Sequence, residues 1–469
     1  MRYTFTIQQQ HYQELKQILI KRDGTESMAI ILCGRSFIPS DPWDGFSEER
    51  FLSQKILFLP ENEIFESKQQ SIICESESFI QILKKAERKD LAVAFVRYHP
   101  EGQTAFSHIN DTYEPEFFKF IFMRNGGIRP HAALALTPDG QLFGRAWDSK
   151  LNYHSLDLIR ILGEKFKILY PERGKGISAE AFNRQELAFG KALNQDLANL
   201  RIAVVGCGGT GSAVALFLAR LGVGQILLID KDVVDETNLN RLHGASLADA
   251  EAANQKVSVL ASVIEKIGLG TRVKPITEWV ESEETINFLK ACDLIFGCTD
   301  DHQGRLFLNR LSFFYLQPLI DMGLMIKVSE NDPPEIKVLD GRVTVIFPGN
   351  VCLLCRKIID TTKAYSENIC RNSPDEYKKL KKEAYVIGEG DPSPAVITFT
   401  SEVAIMAINE FLQRMQGFRG EKGSATERRR FFIRCEDRKT GAQAREGCDL
   451  CGNNNYWGRG DMTPFLNRV

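Results

Sequence analysis

Three glycines form a G-x-G-x-x-G pattern, which is typical of a turn that binds phosphate. Gly206, Gly208 and Gly211 lie in RIAVVGCGGTGSAVALFLARLG, between an apolar run and a longer apolar segment. Glycine allows a tight turn and close approach to a phosphate, whose charge then lies at the amino end of the next helix. Gly209 belongs to the same turn, and Asp230 follows 19 residues after Gly211, where a carboxylate can accept hydrogen bonds from ribose hydroxyls. These residues predict nucleotide binding on a strand–turn–helix unit.

Polar residues after the second predicted strand indicate a ligand that carries several phosphates. Asn238, Arg241 and Lys256 bring an amide and two cations. Arginine grips phosphate as a fork, whereas lysine acts as a point charge. Together with Asp230 and Asp232, they form a predicted triphosphate site. Taken singly, Arg241 and Lys256 are also open to interpretation as surface charges.

A third apolar run, Leu294–Phe296 in CDLIFGCTDD, ends just before Asp300. It reads as a buried strand, and open parallel sheets bind ligands at the carboxyl ends of their strands. Mg²⁺ is usually held by one or two carboxylates together with phosphate oxygens, so Asp300 is a predicted magnesium ligand. Two other functions remain open here, an NAD-dependent dehydrogenase and a non-enzymatic nucleotide-binding scaffold, for which Asp300 would be incidental.

Two cysteine pairs predict a metal site. Cys352 and Cys355 in NVCLLC, and Cys448 and Cys451 in EGCDLCG, each offer two thiolates, and two such pairs complete a tetrahedral zinc site. A closed four-thiolate site is structural, because it has no open position for water. The 92-residue gap leaves open that the pairs are unrelated. If they do meet, zinc holds the carboxyl-terminal segment against the nucleotide-binding core.

The glycine turn and the polar set after it resemble the ThiF/MoeB superfamily, which includes the ubiquitin-activating enzymes. The resemblance begins at FNRQELAFGKALNQDLANLRIAVVG and covers residues 180 to 455. It implies a homodimer in which Arg184 reaches the ATP site of the partner subunit. It also implies that ATP and Mg²⁺ are held by Asp230, Asn238, Arg241, Lys256 and Asp300. One departure is Asp301, where the family often has Asn.

Cys370, in SENICRNSPDEYKK, is the predicted catalytic nucleophile. It follows the first cysteine pair in a polar segment without apolar periodicity, so a role in core packing is not expected. The resemblance supports it, because ThiF has a reactive cysteine at a similar place. An inert surface cysteine is the alternative, and Cys435 in FFIRCED, a strand-like segment, is a rival nucleophile. Cys207, Cys292 and Cys298 lie in apolar runs, which predicts that they are packed small side chains.

The amino-terminal part contains an incomplete motif. VRYHPEGQTAFSHIND is similar to the JAB/MPN metalloprotease motif, with Glu26 at the general acid/base position. The first histidine position holds Arg97, only His99 remains, and Ser107 is followed by Asn110 with Asp111 one step late. Because catalytic zinc needs three protein ligands and an open position, His99 would need His108 or Asp111 to rebuild a site. We therefore expect a degenerate JAB-like scaffold or docking domain, with His11, His131 and His154 as ordinary packed or surface residues.

These observations predict an α/β protein in four segments. Residues 1–168 form a separate α+β, JAB-like domain, and 169–179 form a linker. Residues 180–348 form a Rossmann-like, doubly wound, mostly parallel ATP-binding adenylation domain. Residues 349–469 hold the zinc pairs, the catalytic-cysteine segment and a carboxyl-terminal subdomain.

Two details of the last segment are predicted from pattern. A helix is expected from about Ser401 to Met415, stopped by Gly417, because its apolar residues recur at helical spacing. Residues 356–395 are long for a loop, and we interpret them as a crossover that binds the tail of the substrate.

Composition limits the environment and the partners. The chain has 469 residues, a net charge of −2 and eleven cysteines. A near-neutral charge gives no electrostatic reason for a nucleic-acid or anionic-membrane partner. No apolar window approaches 18 residues and the amino terminus lacks a signal-peptide core. An odd number of cysteines then favours reduced thiols and metal sites, so we expect a cytoplasmic protein.

The resulting hypothesis is ATP-dependent activation of a small ubiquitin-like, β-grasp protein. Its carboxyl terminus would be adenylated, transferred to Cys370 as a thioester and passed to a conjugating enzyme. An activating enzyme fused to a JAB-like domain looks like a component of bacterial ubiquitin-like conjugation operons, including antiviral ones. The alternative within the family is a sulfur-carrier adenylyltransferase of the thiamin or molybdopterin type.

Overall fold

Two β-sheets organise the protein, which is represented by a computed structural model that describes residues 1–20, 28–58, 77–99, 106, 108–125, 127–171, 180–382 and 394–462. The first sheet has nine strands, all from the amino-terminal part, and the second has eight. None of the helices in these ranges combines the length and apolarity needed to cross a lipid bilayer.

The amino-terminal sheet is mixed and is covered by three helices in its described part. Its strands are β1 (Arg2–Gln8), β2 (Met28–Ile38), β3 (Glu48–Phe58), β4 (Ala92–Tyr98), β5 (His131–Leu136), β6 (Leu142–Trp147), β7 (Tyr153–Ser155), β8 (Leu158–Leu162) and β9 (Phe166–Leu169). Its helices are α1 (Gln9–Leu19), α2 (Glu77–Arg88) and α3 (His108–Asn125). The strand order is β7-β6-β5-β4-β2-β3-β1-β8-β9.

The second part alternates strands and helices as the apolar pattern predicts. Its helices are α4 (Asn183–Phe189), α5 (Lys191–Asn199), α6 (Gly209–Arg220), α7 (Leu247–Glu251), α8 (Lys256–Ile267), α9 (Glu283–Ala291), α10 (His302–Phe314), α11 (Thr361–Asn372), α12 (Pro374–Lys382) and α13 (Ile397–Gln416). Its strands are β10 (Arg201–Val205), β11 (Gln225–Ile229), β12 (Arg272–Ile276), β13 (Leu294–Gly297), β14 (Leu319–Val328), β15 (Ile336–Ile346), β16 (Glu427–Phe431) and β17 (Glu436–Lys439).

The order of the second sheet is β12-β11-β10-β13-β14-β15-β16-β17. The first five strands are parallel and the last three pairings are antiparallel. Strands β10 and β13 are buried along their whole length, as expected for strands covered by helices on both faces. From β10 the chain first builds outward to β11 and β12, then returns to β13 on the other side. The crevice between β10 and β13 is therefore the switch point at which such sheets bind ligands.

The predicted carboxyl-terminal helix is confirmed, but it begins earlier than expected. Helix α13 starts at Ile397 rather than near Ser401 and ends where Gly417 adopts the left-handed conformation, with φ of 69°. Val403, Ala407 and Phe411 on this helix are buried in the second core. Their burial against α6 and β14 accounts for the helical spacing in the sequence.

The amino-terminal part has its own core and is also joined to the second part by buried charges. Arg160 Nε donates to Asp293 Oδ1 at 2.6 Å, and Arg201 Nη1 lies 2.6 Å from Asp41 Oδ2. Arg50 Nη1 donates to the Cys292 carbonyl oxygen at 3.3 Å. These contacts, between side chains that are almost entirely buried, fix the two parts against each other in the structure.

Candidate nucleotide, metal and thiol sites

The glycine turn after β10 is closely packed on one side and open on the other. Gly206 has φ of 87°, and a Cβ there would lie 2.8 Å from the Cys298 carbonyl carbon. A Cβ on Gly211 would lie 1.8 Å from the Gly206 oxygen, so a larger residue cannot fit without moving the turn. A Cβ on Gly208 would meet no atom within 4 Å. The middle glycine therefore faces space in which a ligand can approach the backbone.

Helix α6 begins in this turn with an amino end that no side chain caps. Gly208 is its N-cap residue and, having no side chain, leaves the first N–H groups available. Because the helix macrodipole also favours negative charge at this end, the turn suits a phosphate group. Gly209 lies in the first turn of this helix, next to the Arg241 side chain. A Cβ placed on Gly209 would be 3.3 Å from Arg241 Cγ.

Asp230, which follows β11, holds the same turn from the side. Its Oδ2 accepts a hydrogen bond from the Cys207 N–H at 2.6 Å, and its Oδ1 accepts one from the Asp232 N–H at 2.9 Å. Burial raises the pKa of Asp230 above its ordinary value. The carboxylate thus fixes the loop conformation, while the remaining lone pairs of its two oxygens can still accept from ribose hydroxyls.

Lys256 and Asp232 form an ion pair beside this loop. Lys256 is the first residue of α8, its Nζ lies 3.0 Å from Asp232 Oδ2, and its side chain is only 12 % exposed. Burial opposes the charge of Asp232, but hydrogen bonds from Lys231 and Lys256 outweigh it and lower the pKa of that carboxyl. The ammonium group is therefore held at the edge of the sheet and does not extend into solvent.

Asn238 and Arg241 lie in the loop between β11 and α7. Asn238 ends a 3-10 helix, and Arg241 Nη1 donates to the Thr237 carbonyl oxygen at 2.8 Å. Within the described residues, Arg241 has no carboxylate partner. Its guanidinium therefore keeps N–H donors that are available to an anion.

The loop after β13 separates the roles of two adjacent aspartates. Asp300 is exposed, and in the described residues its carboxylate has no protein partner. Asp301 caps α10 by accepting from the Gly304 N–H at 3.0 Å, and it also binds Thr299 and Arg371. Burial opposes its charge, but Arg371 outweighs this effect and lowers the pKa of Asp301. Only Asp300 is therefore free to bind a cation, which fits the predicted magnesium ligand.

Sequence reasoning did not identify the residue that supports this loop. Arg305 on α10 donates from Nη1 to the Asp300 carbonyl oxygen at 3.3 Å and from Nη2 to the Met322 carbonyl oxygen at 3.0 Å. Its Nε lies 3.2 Å from the buried Asp321. A single arginine within a helix carries no sequence signal for this function.

Arg184 is exposed on α4 and lies far from the turn of its own chain. The neighbouring Gln185 donates to the Leu221 carbonyl oxygen at 3.1 Å, which places α4 at the carboxyl end of α6. The glycine turn is at the other end of that 12-residue helix, roughly 18 Å away at 1.5 Å per residue. The structure therefore does not bring Arg184 to the site in its own chain.

The two cysteine pairs come together in the fold. The ligand atoms of Cys352, Cys355, Cys448 and Cys451 all lie within 4.8 Å of one another. Three Sγ–Sγ separations are 3.8, 3.6 and 3.6 Å. Tetrahedral zinc with Zn–S bonds of about 2.3 Å requires sulfur atoms about 3.8 Å apart. The four thiols therefore fit a structural Zn²⁺ ion, and unrelated pairs are not what the structure shows.

The segment with Cys370 is helical in its described part, which corrects the interpretation of residues 356–395 as a long loop. Asp360 caps α11 by accepting from the Thr362 and Lys363 N–H groups. Helix α11 packs against α10, and Glu367 accepts from the Gln303 N–H at 2.7 Å. These contacts stabilise a helix whose polar sequence has little apolar periodicity. Cys370 is half-buried on it, and residues 383–393 lie outside the described ranges.

The other cysteines divide as expected, with one correction. Cys207 and Cys292 are completely buried, Cys298 is partly buried, and burial raises the pKa of all three thiols. Cys435 is exposed, but it lies in the turn between β16 and β17 with φ of 53°, not in a strand. The turn is needed because β16 and β17 are paired antiparallel and only four residues separate them.

The incomplete amino-terminal motif does not gather metal ligands in the part of the chain that can be described. Asp111 lies 2.6 Å from Arg145 Nη1, so this candidate ligand is engaged in an ion pair. Among the described residues, the four cysteines are the one group able to hold a metal ion. Glu26 and Ser107 lie outside those residues, as do the side chains of His108 and Asn110 and most of the 169–179 linker.

The isolated histidines are ordinary packed or surface residues. His131 is buried and accepts from the Val93 N–H at 3.0 Å, and burial lowers the pKa of His11 to about 4. His154 is exposed, 3.4 Å from Asp148.

The fold defines an α/β protein whose mostly parallel sheet carries the glycine turn and the polar residues Asp230, Arg241 and Asp300 around its switch point. A family model described as the ThiF family matches residues 182–449, more than half of the chain. The chain therefore belongs to the ThiF family.

Individual relatives match shorter stretches. The tRNA threonylcarbamoyladenosine dehydratase of Bacillus subtilis (strain 168) is 58 % identical over 60 residues, which are 13 % of this chain and 24 % of that protein. The molybdopterin-synthase adenylyltransferase of Escherichia coli (strain K12) is 29 % identical over 180 residues, 37 % of this chain and 66 % of that protein. The SAMP-activating enzyme E1 of Haloferax volcanii is 26 % identical over 161 residues, 34 % and 54 % respectively. The chain spans less than two thirds of the length of each of these relatives.

Proposed function

We propose that this protein uses ATP to adenylate the carboxyl terminus of a small ubiquitin-like protein and then takes up the acyl group on Cys370. The observation that supports this most directly is the convergence of three loops at one edge of the sheet. They bring together the open Gly208 backbone, the Arg241 guanidinium and the unpaired Asp300 carboxylate. Dinucleotide chemistry has no use for this magnesium-type carboxylate opposite the glycine turn.

The site would hold ATP through groups of three kinds. The amino end of α6 would bind phosphate, Asp230 would accept from the ribose, and Asp300 would hold Mg²⁺ against the phosphates. Asn238, Arg241 and Lys256 would bind the remaining phosphate oxygens. Bound Mg²⁺ would neutralise phosphate charge, which lowers the repulsion felt by an incoming carboxylate.

The first step joins two anions. A terminal carboxylate oxygen of the substrate attacks the α-phosphorus of ATP, and the bond from that phosphorus to the β-phosphate oxygen breaks. The products are an acyl-adenylate and pyrophosphate. The chain contributes position and positive charge and no covalent bond, as in phosphoryl transfer generally.

The second step uses Cys370. Its sulfur attacks the acyl carbon, the bond to the AMP oxygen breaks, and a thioester and AMP form while the thiol proton leaves to solvent. A cysteine of a conjugating enzyme would then accept the acyl group by the same exchange. We place the first 168 residues as a docking domain for these partners.

A homodimer would complete each ATP site. Arg184 lies at the wrong end of α6 to serve its own chain, and Leu187 on the same helix is 88 % exposed, which is unusual for a leucine. Both facts are explained if α4 packs on a second copy and Arg184 enters the site of that copy.

A sulfur-carrier adenylyltransferase is the second candidate, because the match covers 66 % of the E. coli relative, which is named molybdopterin-synthase adenylyltransferase. It would share the first step. The two functions differ in product: conjugates of the small protein support the first, whereas a carboxyl-terminal thiocarboxylate supports the second.

The test is ATP–pyrophosphate exchange by the purified full chain with a small β-grasp protein as the substrate. Exchange that depends on that protein and on its free carboxyl terminus is expected. Asp300→Asn should lower exchange by about 10²-fold or more, the scale for losing one group that stabilises charge in the transition state. Glu335→Gln, the same carboxylate-to-amide change at a side chain that is 63 % exposed and lies outside the crossover, is the matched control and should exchange normally. Exchange that survives Asp300→Asn would remove the magnesium assignment, and reduction of NAD at this site would replace the proposal.

A further inference from the structure

Arg371, the residue that follows Cys370, connects helix α11 to the loop after β13 at the proposed nucleotide site. Arg371 forms an ion pair with Asp301, and its Nη1 lies 3.8 Å from Glu281 Oε2. Asp301 belongs to the loop after β13 and directly follows Asp300. The helix that carries the thiol is therefore joined to the loop that carries the proposed magnesium ligand.

A second contact reaches the loop on the other side of the glycine turn. The Arg371 guanidinium carbon lies 3.8 Å from the centre of the Trp279 ring, and Lys231 Nζ lies 4.4 Å from the same centre. Cations over an aromatic face are attracted to it. Lys231 follows Asp230 in the loop after β11. Trp279 thus connects α11 with the loop that holds the proposed ribose ligand.

These contacts explain the one departure from the family pattern noted in the sequence. An Asn at position 301 would cap α10 about as well as Asp, because both accept hydrogen bonds from helix N–H groups. Asp at this position, unlike Asn, gives Arg371 a second carboxylate partner in addition to Glu281. The side chain of Arg371 is 11 % exposed and that of Asp301 is 19 % exposed, so water screens the pair little.

We infer that Arg371 is a positioning residue that couples the occupied ATP site to Cys370. Through Asp301 and Trp279 it holds α11 against both nucleotide loops, which keeps Cys370 beside the place where the acyl-adenylate forms. The inference rests on the proposed function and concerns its second step. In that step the sulfur–carbon bond forms, the carbon–oxygen bond to AMP breaks, and the thiol proton passes to solvent.

The experiment compares Arg371→Gln, Asp301→Asn and the double variant with the wild-type chain. Asp301→Asn keeps the helix cap and removes the charge, which isolates the ion pair from the fold of α10. Arg438→Gln is the matched control, because Arg438 is an exposed arginine on β17 that also has a carboxylate partner.

Two activities are measured separately, pyrophosphate exchange for adenylation and intact mass for the thioester. The ratio of thioester formation to exchange should fall by about tenfold in Arg371→Gln, since a charge-assisted contact is lost. Because the two residues act through each other, the double variant should be no worse than Arg371→Gln. An equal loss of both activities, or no loss, would overturn the inference, as would additive losses.

A third measurement does not depend on the proposed function. Alkylation of Cys370 by iodoacetamide in the native, substrate-free protein should speed up severalfold in both single variants and no further in the double variant. Absence of exchange in the wild-type chain would reject the proposed function, and the alkylation rates would still decide the coupling. Unchanged alkylation in Arg371→Gln would show that the pair does not hold α11.

Discussion

Cys352 Sγ and Cys448 Sγ lie 3.8 Å apart although 96 positions separate the two residues in the chain. The first follows β15 and the second lies beyond β17, so the cluster closes the carboxyl-terminal part onto the sheet. The Cys448 and Leu450 side chains are buried in the same core as Cys352. A metal ion held by the four cysteines would therefore stabilise the same connection that this core packing stabilises.

We expect Cys448→Ser to abolish zinc binding. Loss of one thiolate opens a site whose four ligands bind as a set, and structural zinc contributes directly to folding free energy. Metal analysis should find about one zinc per chain in the wild type and almost none in the variant, with a lower melting temperature. Cys435→Ser is the control, since Cys435 is exposed in a turn and should leave zinc content unchanged. Retained zinc in Cys448→Ser would disprove the cluster.

Substitutions at two glycines of the turn should affect stability and ATP binding separately. Gly211→Ala puts a Cβ 1.8 Å from the Gly206 oxygen and should destabilise the fold by about 1–3 kcal/mol through overpacking. Gly208→Ala meets no atom within 4 Å, so unfolding should be unchanged while the KM for ATP rises. Denaturant titration and exchange kinetics check the two effects. A Gly208→Ala protein with normal KM would show that ATP does not approach this backbone.

Mixing two inactive variants should restore activity if Arg184 serves the partner subunit. Arg184→Ala should impair the ATP site of the partner subunit, whereas Asp300→Asn should impair the site of its own chain. In a mixed dimer both changes therefore fall on the same site, and the other site is intact. After subunit exchange at equal amounts, half of the dimers are mixed and each has one intact site, so about a quarter of wild-type exchange should return. No recovery, despite mixed dimers seen by native mass spectrometry, would mean that Arg184 acts within its own chain.

Acid should weaken the contact between the amino-terminal part and the rest through Glu48. Burial opposes its charge, but Arg50, Arg160 and Arg201 outweigh it and lower the pKa of Glu48 to about 2. The folded pKa lies below the unfolded value, so its stabilisation is complete above about pH 4.5 and is lost as the pH falls toward 2. The lost stability is about 3 kcal/mol, at 1.36 kcal/mol per pKa unit.

Urea unfolding from pH 6 to pH 3 tests this expectation. The wild type should lose stability over this range more steeply than Glu48→Gln, which starts lower at pH 6 because its arginines have lost a buried partner. Glu335→Gln is the control, at a carboxylate that is 63 % exposed. Parallel curves for the wild type and Glu48→Gln would contradict the assignment.

The sequence alone predicted which residues lie at the switch point of the second sheet, because its signals are local. The apolar runs at 201–205, 225–229 and 294–297 became parallel strands, and carboxyl ends of parallel strands meet at one edge. The positions of Gly206, Asp230 and Asp300 relative to those runs therefore fixed their neighbourhood. The start of α13 was misplaced by four residues, since propensity defines helix ends poorly.

Tertiary structure decided what depends on contacts between distant segments. The pairing of the cysteines, the helix around Cys370 and the engagement of Asp111 by Arg145 all come from residues tens of positions apart. The different roles of Asp300 and Asp301 also depend on a distant residue, because Arg371 forms an ion pair with Asp301 and not with Asp300. Hydropathy and spacing describe a chain relative to its immediate neighbours, whereas these choices are made by burial and charge across the folded core.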